Sequence, residues 1–399
     1  MQKLCHAAST HGKIVAMTVK RKGPAPLLAH LGMVVASALD WNSNIHEYAA
    51  PYFSPLKALE LEDVIRGIKM YMDHPYSAQH EKGRQVWKSG SATVSLLYAD
   101  LASPAKGNPV LLVPSLINTS AIFDLCAERS LARYLAERGN AVYMLDWGNT
   151  AQDDRDLDLS SVIVERLLPA IAASAEHAQK RVSVLGYCMG GTLSLAAAAL
   201  EPDEFEKLIL LAAPWDFRAG RNRLSERVRE WAPMVMPRLE YKGYMPSDWT
   251  QTLFATLDPE GSAKKFARFS RMNQDSAEAR IFVAVEDWLN EGVDLAPALT
   301  REILQQWFAL NAPARGQWKI GGRDVDVARL EKPVMIVASS GDRLVPWESA
   351  EAVAKALPPQ PVKTLRLTAG HIGLIAGRGA VETIWSPIIK WIADTQDQR

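Results

Sequence analysis

Cysteine is scarce in this chain. Three occur in 399 residues, Cys5, Cys126 and Cys188, widely spaced and without a Cys-x-x-Cys pair. That excludes a disulfide framework and a zinc knuckle. It fits a reducing, cytoplasmic setting in which a free thiol survives. Net charge is missing too: 45 basic residues balance 45 acidic ones, which argues against a strongly basic nucleic-acid binder. No apolar run is long and uninterrupted enough to span a bilayer as a helix. No His, Cys, Asp and Glu cluster has metal-ligand spacing, no Gly-rich nucleotide loop follows the first predicted strand, and no internal repeat stands out. A resident metal or cofactor is therefore not expected.

What the chain does have is apolar residues in short blocks, 48% of the sequence, enough for a large core. Pro55–Met72 has the apolar spacing of a helix. "ATVSLLYADL" reads as a strand. "NPVLLVPSLIN", "NAVYMLDWG", "RVSVLGY", "FEKLILLAAPWDF" and "KPVMIVASSGD" read as buried strands, and "VKTLRLTAGH" as a last one. Helical patterns such as "SLARYLAERG" and "LSSVIVERLLPAIAASAEHA" alternate with them. This predicts an α/β fold, a mostly parallel sheet with helices on both faces.

One connection is too long. About 120 residues separate the strand ending near Ala213 from the one starting near Pro333, far more than a crossover needs. The segment has helical patterns of its own and six tryptophans, Trp215, Trp231, Trp249, Trp288, Trp307 and Trp318. It reads as a helical cap over the carboxyl edge of the sheet, where open α/β sheets bind ligands. The expected layout is an N-terminal extension (1–54), a first core part (55–215), a cap (216–330) and a second core part (331–399). Within the extension, residues 19–41 have the basic lead, apolar stretch and small-residue tail of a signal peptide. Pro26 and His30 interrupt it, which favours a partly disordered segment or an amphipathic helix packed on the body or a partner.

Chemistry concentrates at "VLGYCMGGTL". Cys188 sits between Gly186 and Gly190–Gly191, where a strand turns sharply into a helix. Small residues are needed there because the backbone folds tightly. The helix points its N-terminus at Cys188, and its partial positive charge favours a thiolate. A nucleophile in this setting wants an acid and then a histidine, in that chain order. The sequence has eight histidines, but His371, in "TAGHIGLIAG", is the one that follows Cys188. Asp342, in "ASSGDRLVPW", follows a buried strand and is the preferred acid. Asp216, in "AAPWDF", is the alternative. The backbone amides of Met189 and Leu116 are the expected oxyanion hole. Arg218, Arg221 and Arg223 form a basic run that either covers a solvated helix face or meets phosphate groups.

Taken together, "LLVPSLINTSAIFDL", the "LDWG" strand end, "GYCMGG", "GDRLVPWESA", "GHIG" and "EDWLNEG…GQWKIGG" resemble the polyhydroxyalkanoate synthases, and most closely their shorter, two-subunit type. The resemblance covers roughly Leu56 to Ala393. It departs at Arg343, where that family commonly has histidine, and most in the cap. Dienelactone hydrolases share a Gly-x-Cys-x-Gly-Gly turn, but their acid and histidine follow soon after the cysteine, unlike Asp342 and His371.

The resemblance implies an α/β-hydrolase fold and a cytoplasmic acyltransferase that polymerises (R)-3-hydroxyacyl-CoA through an acyl group on Cys188. His371 would be the base and Asp342 the third member. It also implies a homodimer, a possible second synthase subunit and a polyester granule surface as partners, with coenzyme A entering as the substrate thioester. A thiol suits that substrate. Exchange of one thioester for another keeps the acyl group activated, and transfer to a hydroxyl is then downhill. A thioesterase or esterase using the same three residues is the alternative.

Overall fold

The computed structural model describes residues 21–27, 58–101, 107–359 and 361–394. Cys5 and most of the N-terminal extension lie outside them. Eight strands form one sheet: β1 (Arg84–Ser89), β2 (Ala92–Leu97), β3 (Val110–Val113), β4 (Val142–Asp146), β5 (Val182–Tyr187), β6 (Phe205–Leu211), β7 (Val334–Ser339) and β8 (Val362–Leu367). Their order is β1-β2-β4-β3-β5-β6-β7-β8. β2 runs antiparallel to both its neighbours, and the pairs from β4 to β8 are parallel.

The central strands are apolar because both of their faces are covered. Every residue of β3, β5 and β7 is buried. Along β5, Val182 and Val184 join the core on one face, and Leu185 and Tyr187 the core on the other, the two-residue period of a strand. β8 departs from the run of buried strands. It is the sheet edge, and Lys363, Thr364 and Arg366 lie exposed there, which blunts the edge against further pairing. β1 was not legible: "RQVWKS" has few apolar residues because it forms the opposite edge.

Helix α1 (Ala58–Met72) precedes the sheet. α2 (Leu131–Ala136), α3 (Leu168–Ala178) and α4 (Met189–Leu200) cross between strands. α4 is buried from Gly190 to Ala198, and its small residues let it lie close against the sheet. The long connection between β6 and β7 carries α5 (Arg223–Lys242), α6 (Ser247–Leu257), α7 (Pro259–Phe269), α8 (Ala277–Asn290) and α9 (Pro297–Glu302), which continues as a wide π-type turn, Ile303–Ala309.

This insertion is divided in its packing. α7 and α8 share a separate core with α1, through Val64, Ile68, Tyr71, Phe266, Phe269 and Phe282. Gly67 makes the approach possible: a Cβ there would lie 2.0 Å from the Phe266 carbonyl oxygen. From Leu295 to Leu330, buried residues instead join the core on one face of the sheet. α1 therefore packs on the insertion, whose later buried residues are continuous with the sheet core.

Candidate active site

β5 delivers its chain to the turn, and Cys188 begins the helix. Cys188 has φ 54° and ψ −126°, a conformation that L residues avoid and that persists only where the surroundings impose it. Its amide donates to the Leu211 carbonyl at 2.9 Å, and its own carbonyl accepts from Gly191 N at 2.9 Å. The flanking glycines are steric necessities. A Cβ at Gly190 would lie 2.3 Å from Pro114 O, and one at Gly191 would lie 2.5 Å from the Ala213 Cβ. At Gly186 it would meet the Gly191 Cα at 2.5 Å.

Two further loops converge on Cys188. Asp342 follows β7. Its Oδ1 accepts the amides of Leu344 and Val345 at 2.8 and 2.9 Å, and its Oδ2 lies 2.6 Å from His371 Nδ1. The Asp342 side chain is fully buried and that of His371 nearly so. Ser339 Oγ donates to Ala369 O, and Ser340 N to Leu367 O, which clamps the acid loop to the histidine loop. Asp216 does not take part: its Oδ1 accepts from Asn311 Nδ2 and Arg218 N, each at 2.9 Å, at the foot of the insertion.

Burial by itself would push the His371 imidazolium to lower pKa. The charges of Asp342 and Cys188, and hydrogen bonds to both, override it and raise His371 to about 10. Tyr187 was not singled out by sequence reasoning. Its ring stacks on His371 at 5.0 Å and 28°, and its hydroxyl donates to His371 O at 3.3 Å. Burial, aided by the charges of Cys188 and Asp342, holds the Tyr187 phenol well above its ordinary range, so it stays neutral. The one signal for it was its place beside Cys188.

Leu116 lies in the loop after β3 with its side chain buried, while Ser115 and Ile117 on either side line the cavity that holds Cys188, Met189 and His371. The Met189 amide opens α4 and has no intrahelical acceptor. The loop is tied to the insertion: Val293 N donates to Ile117 O at 3.0 Å, and Asn118 Nδ2 to Trp288 O at 3.2 Å.

The cavity has a volume of about 160 Å³ and is almost wholly apolar; Leu253 and Phe254 of α6 and Trp288 of α8 line it beside Cys188 and His371. Of the basic run, Arg218 is engaged by Ala309 O at 2.7 Å. Arg221 and Arg223 line a separate open cleft with Arg343, beside Asp342. Cys126 is buried, and desolvation pushes its thiol up to about 11, so it does not compete as a nucleophile. Among the described residues no group of three or more His, Cys, Asp or Glu could hold a metal ion.

A strained turn carrying Cys188 after β5, an acid after β7 and a histidine after β8 thus meet in one place. Residues 108–377 match the family described as alpha/beta hydrolase fold, and the chain belongs to it. Within that family, the proteins similar to it in sequence include poly(3-hydroxyalkanoate) polymerases. The poly(3-hydroxyalkanoate) polymerase subunit PhaC of Haloferax mediterranei is 28% identical over 291 residues, covering 72% of this chain and 59% of that protein. That of Allochromatium vinosum is 28% identical over 296 residues, 73% and 82%. That of Cupriavidus necator is 26% identical over 346 residues, 79% and 55%. The chain spans about three fifths of the length of the Haloferax mediterranei and Haloarcula marismortui polymerases, at 59% and 61%.

Proposed function

We propose that the chain is an acyltransferase that joins (R)-3-hydroxyacyl units from coenzyme A thioesters into polyester through an acyl group on Cys188. The observation that carries this is the Asp342–His371 pair, with His371 and Cys188 lining one apolar cavity.

The charges suit the steps in order. The Cys188 thiolate attacks the thioester carbonyl, the new C–S bond forms, and the bond to the coenzyme A sulfur breaks. The leaving thiolate takes the His371 proton. Acylation removes the negative charge on Cys188 that helps hold His371 high, so the imidazole becomes a better match to its next task. It accepts the proton of an incoming hydroxyl, whose oxygen attacks the acyl carbonyl; the ester forms and the thiolate returns. Asp342, held by two backbone amides, orients the ring. Met189 N and Leu116 N are the proposed donors to the developing oxyanion. The apolar lining limits loss of the acyl group to water.

Arg221, Arg223 and Arg343 are the candidates to meet the coenzyme A phosphates, in a cleft beside the acid loop. No separate cofactor enters the scheme. A second copy, a second synthase subunit and a granule surface are the partners this reading carries, in a cytoplasmic setting. No helix among the described residues is long and apolar enough to cross a membrane.

The test is turnover of (R)-3-hydroxybutyryl-CoA, alone and with a synthase partner subunit, following thiol release and the acyl product. Insoluble polyester that disappears in Cys188→Ala is the expected result. Free hydroxy acid in place of polymer would make the chain a thioesterase and overturn the polymerase reading.

A further inference from the structure

The "LDWG" end of β4 has no part in the chemistry described above, yet it grips the loop that carries Leu116. That loop runs from Pro114, just after β3, to Ser120, and Ser115 and Ile117 in it line the cavity with Cys188 and His371. Asp146 and Trp147, adjacent in the chain, hold its two ends. The Trp147 indole Nε1 donates to Pro114 O at 3.0 Å, and Ser120 Oγ donates to Asp146 Oδ2 at 3.2 Å. Trp147 is 3% exposed and is not part of the cavity wall.

The indole is aimed by its own backbone. Beyond Trp147 the chain turns away at Gly148, with φ 67° replaced by no side chain's preference: its φ is 65°, and a Cβ there would lie 2.4 Å from Ser91 O. The Gly148 amide donates to Asp146 Oδ1 at 2.8 Å, and Ser91 Oγ lies 2.6 Å from Trp147 O. Ser91 N in turn donates to Asp154 Oδ2 at 2.8 Å, and Asp154 is paired with Arg166 at 2.8 Å. Trp147 thus ties the turn between β1 and β2 to the loop after β3.

The carbonyl it holds is a crowded one. A Cβ at Gly190 would lie 2.3 Å from Pro114 O, so this oxygen meets both the indole and the first turn of α4, which opens with Met189. A peptide unit is planar, so pinning its oxygen fixes the plane of the Ser115 amide, from which Leu116 continues. Without the indole donor the Pro114 oxygen is left buried and unpaired, and the peptide gains by turning towards another partner. Given the acyl-transfer reading, on which this rests, we infer that Trp147 is a positioning residue: through Pro114 O it sets the Leu116 amide, the proposed oxyanion donor, against Met189 N. Its contribution falls in the transition state, when charge gathers on the acyl oxygen, and not in substrate binding or in the thiolate.

Replacing Trp147 with benzothienylalanine by amber suppression exchanges the N–H for sulfur and keeps the ring shape, so a role in packing alone leaves the chemistry unmoved. Trp147→Phe removes the N–H by ordinary mutagenesis. Each protein is checked for an unchanged melting profile, and two reactions of Cys188 are compared. Single-turnover acylation by (R)-3-hydroxybutyryl-CoA, followed by intact mass, passes through an oxyanion. Alkylation by iodoacetamide displaces iodide at a saturated carbon and does not. Acylation at saturating thioester is expected to slow by about 10-fold or more, with the half-saturating concentration unchanged, while alkylation keeps its rate. Acylation at the parent rate overturns the inference. So does an equal slowing of both reactions, which would place the effect on the thiolate or the fold. If the thioester does not acylate the parent protein, the acyl-transfer reading falls first, and the comparison passes to p-nitrophenyl butanoate, whose ester carbonyl goes through the same kind of oxyanion. Slowing confined to that ester keeps the assignment of Trp147. No slowing, or no acylation of Cys188 by either compound, overturns it as well.

Discussion

At the residue scale, His371 is held between Asp342 and Cys188. His371 is raised from 6.5 to about 10 against the pull of burial, by Asp342, Cys188 and its bonds to both. A group whose folded pKa is raised contributes stability that is fully present below its ordinary value and lost as pH climbs to the folded one. Folding stability referred to His371→Gln should therefore be greatest at or below pH 6.5 and shrink on the way to about pH 10. Urea denaturation of the two proteins across that range measures it. A flat difference would mean the imidazolium is not held. Cys188→Ala removes one of the two charges, so the imidazole resonances of His371 should titrate at lower pH than in the parent. The same variant should lower acyl transfer by at least about 1000-fold, as expected when a covalent nucleophile is lost.

At the element scale, the β5–α4 turn is a packing solution as much as a chemical one. A Cβ at Gly190 would fall 2.3 Å from Pro114 O and 2.4 Å from Val113 O, and backbone cannot rotate away as a side chain can. Gly190→Ala should cost about 3 kcal/mol, the upper end of overpacking. The readout is the shift of the denaturation midpoint at constant slope. Since Val113 and Pro114 lead into the loop of Leu116, the proposed oxyanion donor, acyl transfer should also fall by more than the loss of folded protein explains. A second joint lies at the foot of the insertion. Asn311, with φ 53°, donates to Asp216 and accepts the amide of Phe217 at 2.9 Å. Asn311→Gly keeps the backbone conformation and removes both bonds. It should cost about 1–3 kcal/mol, and Asn311→Ala, which also strains φ, should cost more. The comparison separates lost hydrogen bonds from backbone strain.

At the scale of the whole molecule, what the sequence made legible depends on the range over which each signal acts. The nucleophile turn shows in a few adjacent letters, because its glycines answer to contacts that the turn itself creates. Asp342 and His371 show because each directly follows a strand, and the chain order is set by topology. Tyr187 does not show, since stacking on a ring so distant in sequence leaves no local pattern. The same holds for other contacts between residues far apart in the chain. The particular contacts that attach the N-terminal segment belong with them. Arg21 lies among charged residues that read as a basic lead, yet its side chain is 3% exposed and reaches Asp287 of α8 at 2.6 Å. It also donates to His74 O at 2.6 Å and to Tyr76 O. Tyr71 of α1 donates to Asp287 at 2.8 Å, and Asn290 Nδ2 donates to the Tyr71 hydroxyl at 2.8 Å. One arginine thus joins the segment before α1, the end of α1 and the helix that carries Trp288 to the cavity. Removing one partner of such a pair leaves the other charge unpaired, and Arg21→Ala should cost about 3 kcal/mol. With Asp287 a quarter exposed, Asp287→Asn should cost less. In the double variant the two losses should not add, because the second change removes a charge already stranded by the first. Additive losses would mean that the segment and α8 are held separately, and that Arg21 acts through its backbone acceptors alone.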